Sequence, residues 1–283
     1  MVYLTVLIIM TQVRLGETPL VYRTNDFYQW KGGDTYLKLK ERQNEYETLV
    51  LGSSIAYKGV NCELLSEDLG ASLNLGTSAQ DLCSSLALLK SSSHKPNKLV
   101  LCVDASSFES DGLESTITLL SNGAGLGFFR LTDWLRDPRL LNSFLVSNFV
   151  GDQSFYSKEG NLKCGSVLID STLSQPISSL KELKQFRPNS SQLPCLNEIQ
   201  SFCTLQKIDL SICLMPTLAN AKARQVEFSE LIRNNTKPKE IIDFRGLFDS
   251  MPKEDYFYDR THLNRNGANL LTERLIERIS RER

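Results

Sequence analysis

Glu47-Thr48-Leu49-Val50-Leu51-Gly52-Ser53-Ser54 is the stretch that decides the fold. The apolar run reads as a strand buried on both faces, and Gly52 ends it in a tight turn. A serine just past the carboxyl end of a central strand lies where open α/β sheets carry their chemistry. Ile55-Ala56-Tyr57-Lys58-Gly59 follows, and the chain then enters a regular alternation of strand and helix patterns.

Ala71–Leu75 reads as a short second strand, ending at Asn74-Leu75-Gly76-Thr77-Ser78-Ala79. Gln80–Lys90 has Leu82, Leu86 and Leu89 at helical spacing. Lys98–Val103 is a third strand, closing at Asp104-Ala105-Ser106-Ser107. Pro194–Leu205 reads as a helix, Lys207–Leu214 as a strand, Asn220–Arg233 as an amphipathic helix and Glu240–Phe244 as a last strand. Asn269–Ile279, with Leu271, Leu275 and Ile279 in register, is the closing helix. Continuous apolar runs between helices predict a parallel sheet of about five strands covered on both faces, a three-layer α/β/α sandwich of flavodoxin-like type. Residues 46–283 form this domain, with an irregular insertion at about 110–190 that is rich in Ser, Gly and aromatics. Residues 1–45 form a separate N-terminal segment. The apolar Val2–Met10 run is too short to cross a bilayer. It fits a first element packed on the body, or the tail of a longer membrane anchor.

The 283 residues are 41% hydrophobic and 23% charged, with a net charge of −1. That balance fits a soluble globular protein and argues against a nucleic-acid partner, which draws on a basic excess. The basic clusters at Lys38, Lys40 and Arg42 and at Arg278–Arg283 read as solvated surface. Seven cysteines, none in a C-x-x-C pair, read as reduced and buried thiols rather than a disulfide framework. Two histidines and no ligand spacing argue against a zinc site. His94, beside Lys95-Pro96, reads as a surface residue.

The second chemical signal is Asp259-Arg260-Thr261-His262, running into Leu263-Asn264-Arg265-Asn266-Gly267. A carboxylate three residues before a histidine can hold the imidazole Nδ1–H, fix its tautomer and leave Nε2 to take a proton. Ser54 is the matching nucleophile and Ser53 the lesser alternative. Each residue also has a plain structural reading: a turn serine, an acid at a helix start, a histidine that fills or caps. The chain order of serine, then aspartate and histidine, favours the chemical one.

In this order, Gly52-Ser53-Ser54, Asn74-x-Gly76 and Asp259-x-x-His262 resemble the motifs of the SGNH hydrolases, the GDSL-like lipases and esterases. The resemblance covers about residues 46–280, apart from the insertion, and is greatest to a Gly-Ser-Ser branch of cell-envelope and membrane-associated members. It implies a Ser54–His262–Asp259 triad and an acyl-enzyme route with no metal or organic cofactor. It also implies an ester substrate carried on carbohydrate, placed in the cell envelope or at a membrane, with the cytoplasm as the alternative. The oxyanion donors it implies are the Ser54 amide, Ala79 with Gly76 beside it, and Ser106. Ala79 and Ser106 stand where the family has Gly and Asn, so the oxyanion side departs from the pattern. Three functions follow: an esterase or deacetylase, an O-acyltransferase of the same fold, or a weakly catalytic member that binds a glycan or partner.

Overall fold

The structure is a computed structural model, and it describes residues 14–15, 18–19, 46–77, 80–92, 94–109, 164–173, 186–218 and 222–281. The Val2–Met10 run, most of the 110–190 insertion, Ala79 and the start of the helix expected from Asn220 lie outside those residues. Arg14–Leu15 and Thr18–Pro19 form a short antiparallel ladder of their own.

Five strands form one all-parallel sheet. They are β1 (Thr48–Gly52), β2 (Ser72–Asn74), β3 (Lys98–Val103), β4 (Asp209–Leu214) and β5 (Ile241–Asp243). Their spatial order is β2-β1-β3-β4-β5, the flavodoxin-like order. The order in which strands are added reverses between β1 and β3, the switch point outside which open α/β sheets form a crevice. Ser54 leaves β1 there.

Side chains alternate between two cores. Leu49, Leu51, Leu99, Leu101 and Ile212 face one, packed under α3 (Leu82–Ser91), α5 (Gln192–Gln206) and α6 (Lys222–Asn235). Val50, Val100, Cys102 and Cys213 face the other, under α1 (Ser54–Gly59), α2 (Cys62–Leu69) and α7 (Arg265–Arg281). The short α4 (Ala105–Glu109) follows β3 and joins the first core through Phe108. This is the three-layer arrangement that the apolar runs predict. Leu271, Leu275 and Ile279 anchor α7, and burial of each stabilises by roughly 1.5–3 kcal/mol. That anchoring fixes the helix whose entry loop carries His262.

The cysteine expectation is corrected. Cys62 is bonded to Cys164 and Cys83 to Cys195, while Cys102, Cys203 and Cys213 are free and buried. The bonded pairs are 102 and 112 residues apart, so no local spacing marks them. The free thiols sit where the apolar patterns put them. Burial, with the charge of Glu240, pushes the Cys203 thiol up to about 12. His94 is also corrected: it is half-buried, its Nε2 lies 2.8 Å from the Tyr46 carbonyl oxygen, and its ring meets the Tyr46 ring edge-on. Among the described residues no helix is long and apolar enough to cross a membrane.

Candidate active site

Ser54 is placed by the end of β1. Gly52 has φ +141°, and a Cβ there would lie 2.4 Å from the Cys102 carbonyl oxygen. Only glycine lets β1 pass so close to β3 and turn at once into α1. Ser53 is extended, and Ser54 opens the helix. The Ser54 N–H is therefore among the helix's first amides, which have no intrahelical acceptor.

The Asp-His segment is built as a closed loop at the entry to α7. Phe257 and Leu263 form an antiparallel bridge, and Tyr258 N–H donates to the His262 carbonyl at 2.9 Å. Within the loop, Asp259 Oδ1 accepts from the amides of Thr261 at 2.8 Å and His262 at 2.9 Å. Asn264 does three jobs. Its amide donates to Tyr256 O, its Nδ2 donates to Asp255 O, and its Oδ1 accepts from Gly267 N–H as a helix cap. Gly267 is required by space, since a Cβ would lie 2.2 Å from Tyr256 O. Each fixed position of the Asp259-x-x-His262-Leu263-Asn264-x-x-Gly267 run thus shapes the same loop. The cap at Asn264 is also why α7 begins at Arg265, four residues before the start that apolar periodicity gives.

Ser54 and His262, 208 residues apart, meet in the crevice. Ser54 Oγ lies 2.7 Å from His262 Nε2, and His262 Nδ1 lies 2.7 Å from Asp259 Oδ2. With Nδ1–H donated to the carboxylate, Nε2 is the acceptor for the Ser54 hydroxyl. Of the two adjacent serines, it is Ser54 that reaches the ring. Burial pushes the Asp259 carboxyl up. The hydrogen bond and charge of His262 and the two loop amides outweigh it, and the carboxyl stands well below the usual carboxylate range. Asp259 is therefore an anion throughout the pH range of ordinary assays.

Lys58 lies one helical turn beyond Ser54. Its Nζ is 5.9 Å from the centre of the Tyr57 ring and 5.6 Å from that of Tyr258, both within cation–π reach. Burial lowers its affinity for a proton, partly offset by the Asp259 charge.

The expected oxyanion donors are dispersed. Gly76 N–H donates to Asn74 Oδ1 at 3.0 Å, so its one proton is taken. The exposed Ser106 donates its hydroxyl to Asp104 Oδ1 at 2.6 Å. Ala79 lies outside the described residues. The Ser54 amide lies at the open N-terminal end of α1. The Asn74-x-Gly76 signal has another role: buried Asn74 turns its Nδ2 onto Ala56 O at 3.0 Å, gripping the middle of α1.

Asn61 is a positioning residue to which the sequence reading assigned no role. Its Oδ1 caps α2, its amide donates to Thr272 Oγ1 at 2.9 Å and its Nδ2 to Asn269 Oδ1 at 2.9 Å. It thereby ties the Ser54 side of the site to α7. The Asn-x-Glu start of α2 was a legible cap, but its contacts to α7 were not.

No family model matches the chain, and no curated protein matches it.

Proposed function

We propose that this protein is a serine esterase of the SGNH type, acting through an acyl-enzyme on esters carried by carbohydrate. The observation that carries the reading is the continuous relay Ser54 Oγ–His262 Nε2 and His262 Nδ1–Asp259 Oδ2, each link 2.7 Å. The carbohydrate class rests on the sequence resemblance alone.

In this reading His262 takes the Ser54 proton as Oγ bonds to the ester carbonyl carbon. The carbonyl oxygen becomes an oxyanion facing the Ser54 amide. The imidazolium, stabilised by Asp259, then gives its proton to the departing alkoxide as the C–O bond breaks. A water, deprotonated by His262, then attacks the acyl carbonyl; the acyl C–Oγ bond breaks, His262 returns the proton to Ser54 Oγ, and the acid leaves. A sugar hydroxyl in place of that water gives transfer instead, so the esterase and the acyltransferase share every earlier step.

The commitment of Gly76 N–H and the Ser106 hydroxyl to internal partners favours slow turnover. Each absent donor raises the barrier by about 3 kcal/mol. The two disulfides favour an oxidising compartment such as a cell envelope over the cytoplasm.

The test is reaction of the purified chain with a serine-directed fluorophosphonate and with p-nitrophenyl acetate. Both are expected to react, and both reactions are expected to vanish in Ser54→Ala. Labelling that survives in Ser54→Ala would sink the assignment. Acyl transfer to added sugar that outruns release to water would select the transferase.

A further inference from the structure

Residues 164–170 run as a strap across the three segments that build the site. The Cys164 carbonyl accepts from Asn74 N–H of β2 at 2.7 Å. Gly165, at φ +101°, lies so close to Asn74 O that a Cβ would sit 2.1 Å from it. Buried Ser166 accepts from Cys62 N–H at 3.1 Å and from Asn74 Nδ2 at 3.3 Å, and donates to Val60 O. Val167 N–H donates to Tyr57 O of α1 at 2.7 Å. Leu168 is buried. Ile169 O then accepts from Arg265 N–H, the first residue of α7, at 2.7 Å, and Asp170 pairs with the Arg265 guanidinium. One covalent bond, Cys62–Cys164, ties this strap to the domain.

The geometry points to this strap as the positioning element of the site, held in place by the Cys62–Cys164 disulfide, so that Ser54 and His262 stay in register only while that bond is oxidised. The inference rests on the esterase reading for its activity arm. Helix α1 has only six residues and is far too short to stand alone. Its last carbonyls have no intrahelical partners. Ala56 O accepts from the capping Val60 N–H and from Asn74 Nδ2, whereas Tyr57 O takes its donor from the strap, the Val167 N–H. The same strap meets α7 three residues after His262. It is therefore a brace shared by the nucleophile helix and the base loop. A dithiol reductant would reduce the bond to two thiols and itself become a disulfide. The strap would lose its covalent tie, and both contacts, at Tyr57 O and Arg265 N–H, would open together. A misplacement near 1 Å between reacting groups costs about 100-fold in rate.

The Cys83–Cys195 bond is a built-in control, because it joins α3 to α5 on the opposite face of the sheet. In a dithiol titration of the whole chain, peptide mapping would follow each bond while p-nitrophenyl acetate turnover is measured. Loss of the Cys62–Cys164 bond is expected to lower kcat at least about tenfold, within the span of small misplacements, with a smaller change in KM. Cys62→Ser/Cys164→Ser should reproduce that loss and no longer respond to dithiol. Cys83→Ser/Cys195→Ser should keep the wild-type kcat and the dithiol response. Unchanged kcat after verified reduction of Cys62–Cys164, with unchanged fluorophosphonate labelling, would overturn the inference. A second measurement does not depend on turnover or on a variant that folds: amide exchange in the wild-type chain. Reduction should accelerate exchange at Val167 and Arg265, and unchanged protection there would overturn the strap even if the oxidised chain hydrolysed no ester. Absent hydrolysis alongside accelerated exchange would instead sink the esterase reading and leave the brace standing.

Discussion

The two sides of the crevice are finished to different degrees. On the base side, Asp259, Thr261, His262, Leu263, Asn264 and Gly267 all serve one closed loop, and each has a hydrogen bond or a packing constraint that explains it. On the oxyanion side, Gly76 N–H and the Ser106 hydroxyl are turned inward onto Asn74 and Asp104. In the proposed reading, a proton relay and a charge-stabilising pocket are separable devices, and this chain holds the first while weakening the second. A relay alone makes a reactive serine. A high rate also needs donors aimed at the developing charge.

The sharpest way to break the comparison is to remove the relay. Ser54→Ala should lower ester turnover by about 10⁶-fold, or to background, and Asp259→Asn by about 10⁴-fold through loss of the imidazole tautomer. Both are read as kcat on p-nitrophenyl acetate. A loss under tenfold in Asp259→Asn would show that the loop orients His262 without the carboxylate.

Next come the backbone approaches. Gly267→Ala should destabilise by about 1–3 kcal/mol, since Tyr256 O stands where the methyl would go. Denaturant midpoints measure it. An unchanged midpoint would mean that the loop gives way easily and that the base side is less rigid than it looks. Cys83→Ser/Cys195→Ser should cost about 2–5 kcal/mol on the same scale, with its effect on stability rather than rate.

The acid limb gives a smaller effect. Asp259 has a folded pKa depressed below its unfolded value of about 3.9. Its stabilisation is therefore present above that value and lost as pH falls through the folded one. The side chain is 40% exposed, so solvent screening holds the contribution to under about 1 kcal/mol. Melting curves of the wild type and Asp259→Asn should converge as pH drops below about 4. A constant gap would place the stabilisation elsewhere.

The smallest expected effect tests the other side of the crevice. Ser106→Ala should change kcat less than about threefold, because the hydroxyl is engaged with Asp104. A loss near the 10²–10³-fold of a true oxyanion donor would show that it swings to the substrate.

Most of the sheet was legible because buried parallel strands write themselves as apolar runs. Leu49-Val50-Leu51 and Leu99-Val100-Leu101 need apolar side chains on both faces. Helix ends were less legible, because a cap such as Asn264 acts through side-chain geometry that periodicity does not register. The relay residues stood out because histidine is rare in this chain and the order of Ser54, Asp259 and His262 is telling. The donors did not, since a backbone N–H is present at every candidate and its direction depends on the turn. The bonded cysteines were hidden for a related reason. Cys62 and Cys164 meet only because the strap crosses the sheet edge, a tertiary event with no local spacing.

The 208-residue separation of Ser54 and His262 also has a consequence in time. A ribosome makes the nucleophile long before the base. Until His262 emerges and α7 seals its face of the sheet, Ser54 is an ordinary alcohol without a proton acceptor. In the proposed reading, the order of synthesis works as a safety catch, withholding reactivity from the growing chain until the fold that controls it is complete.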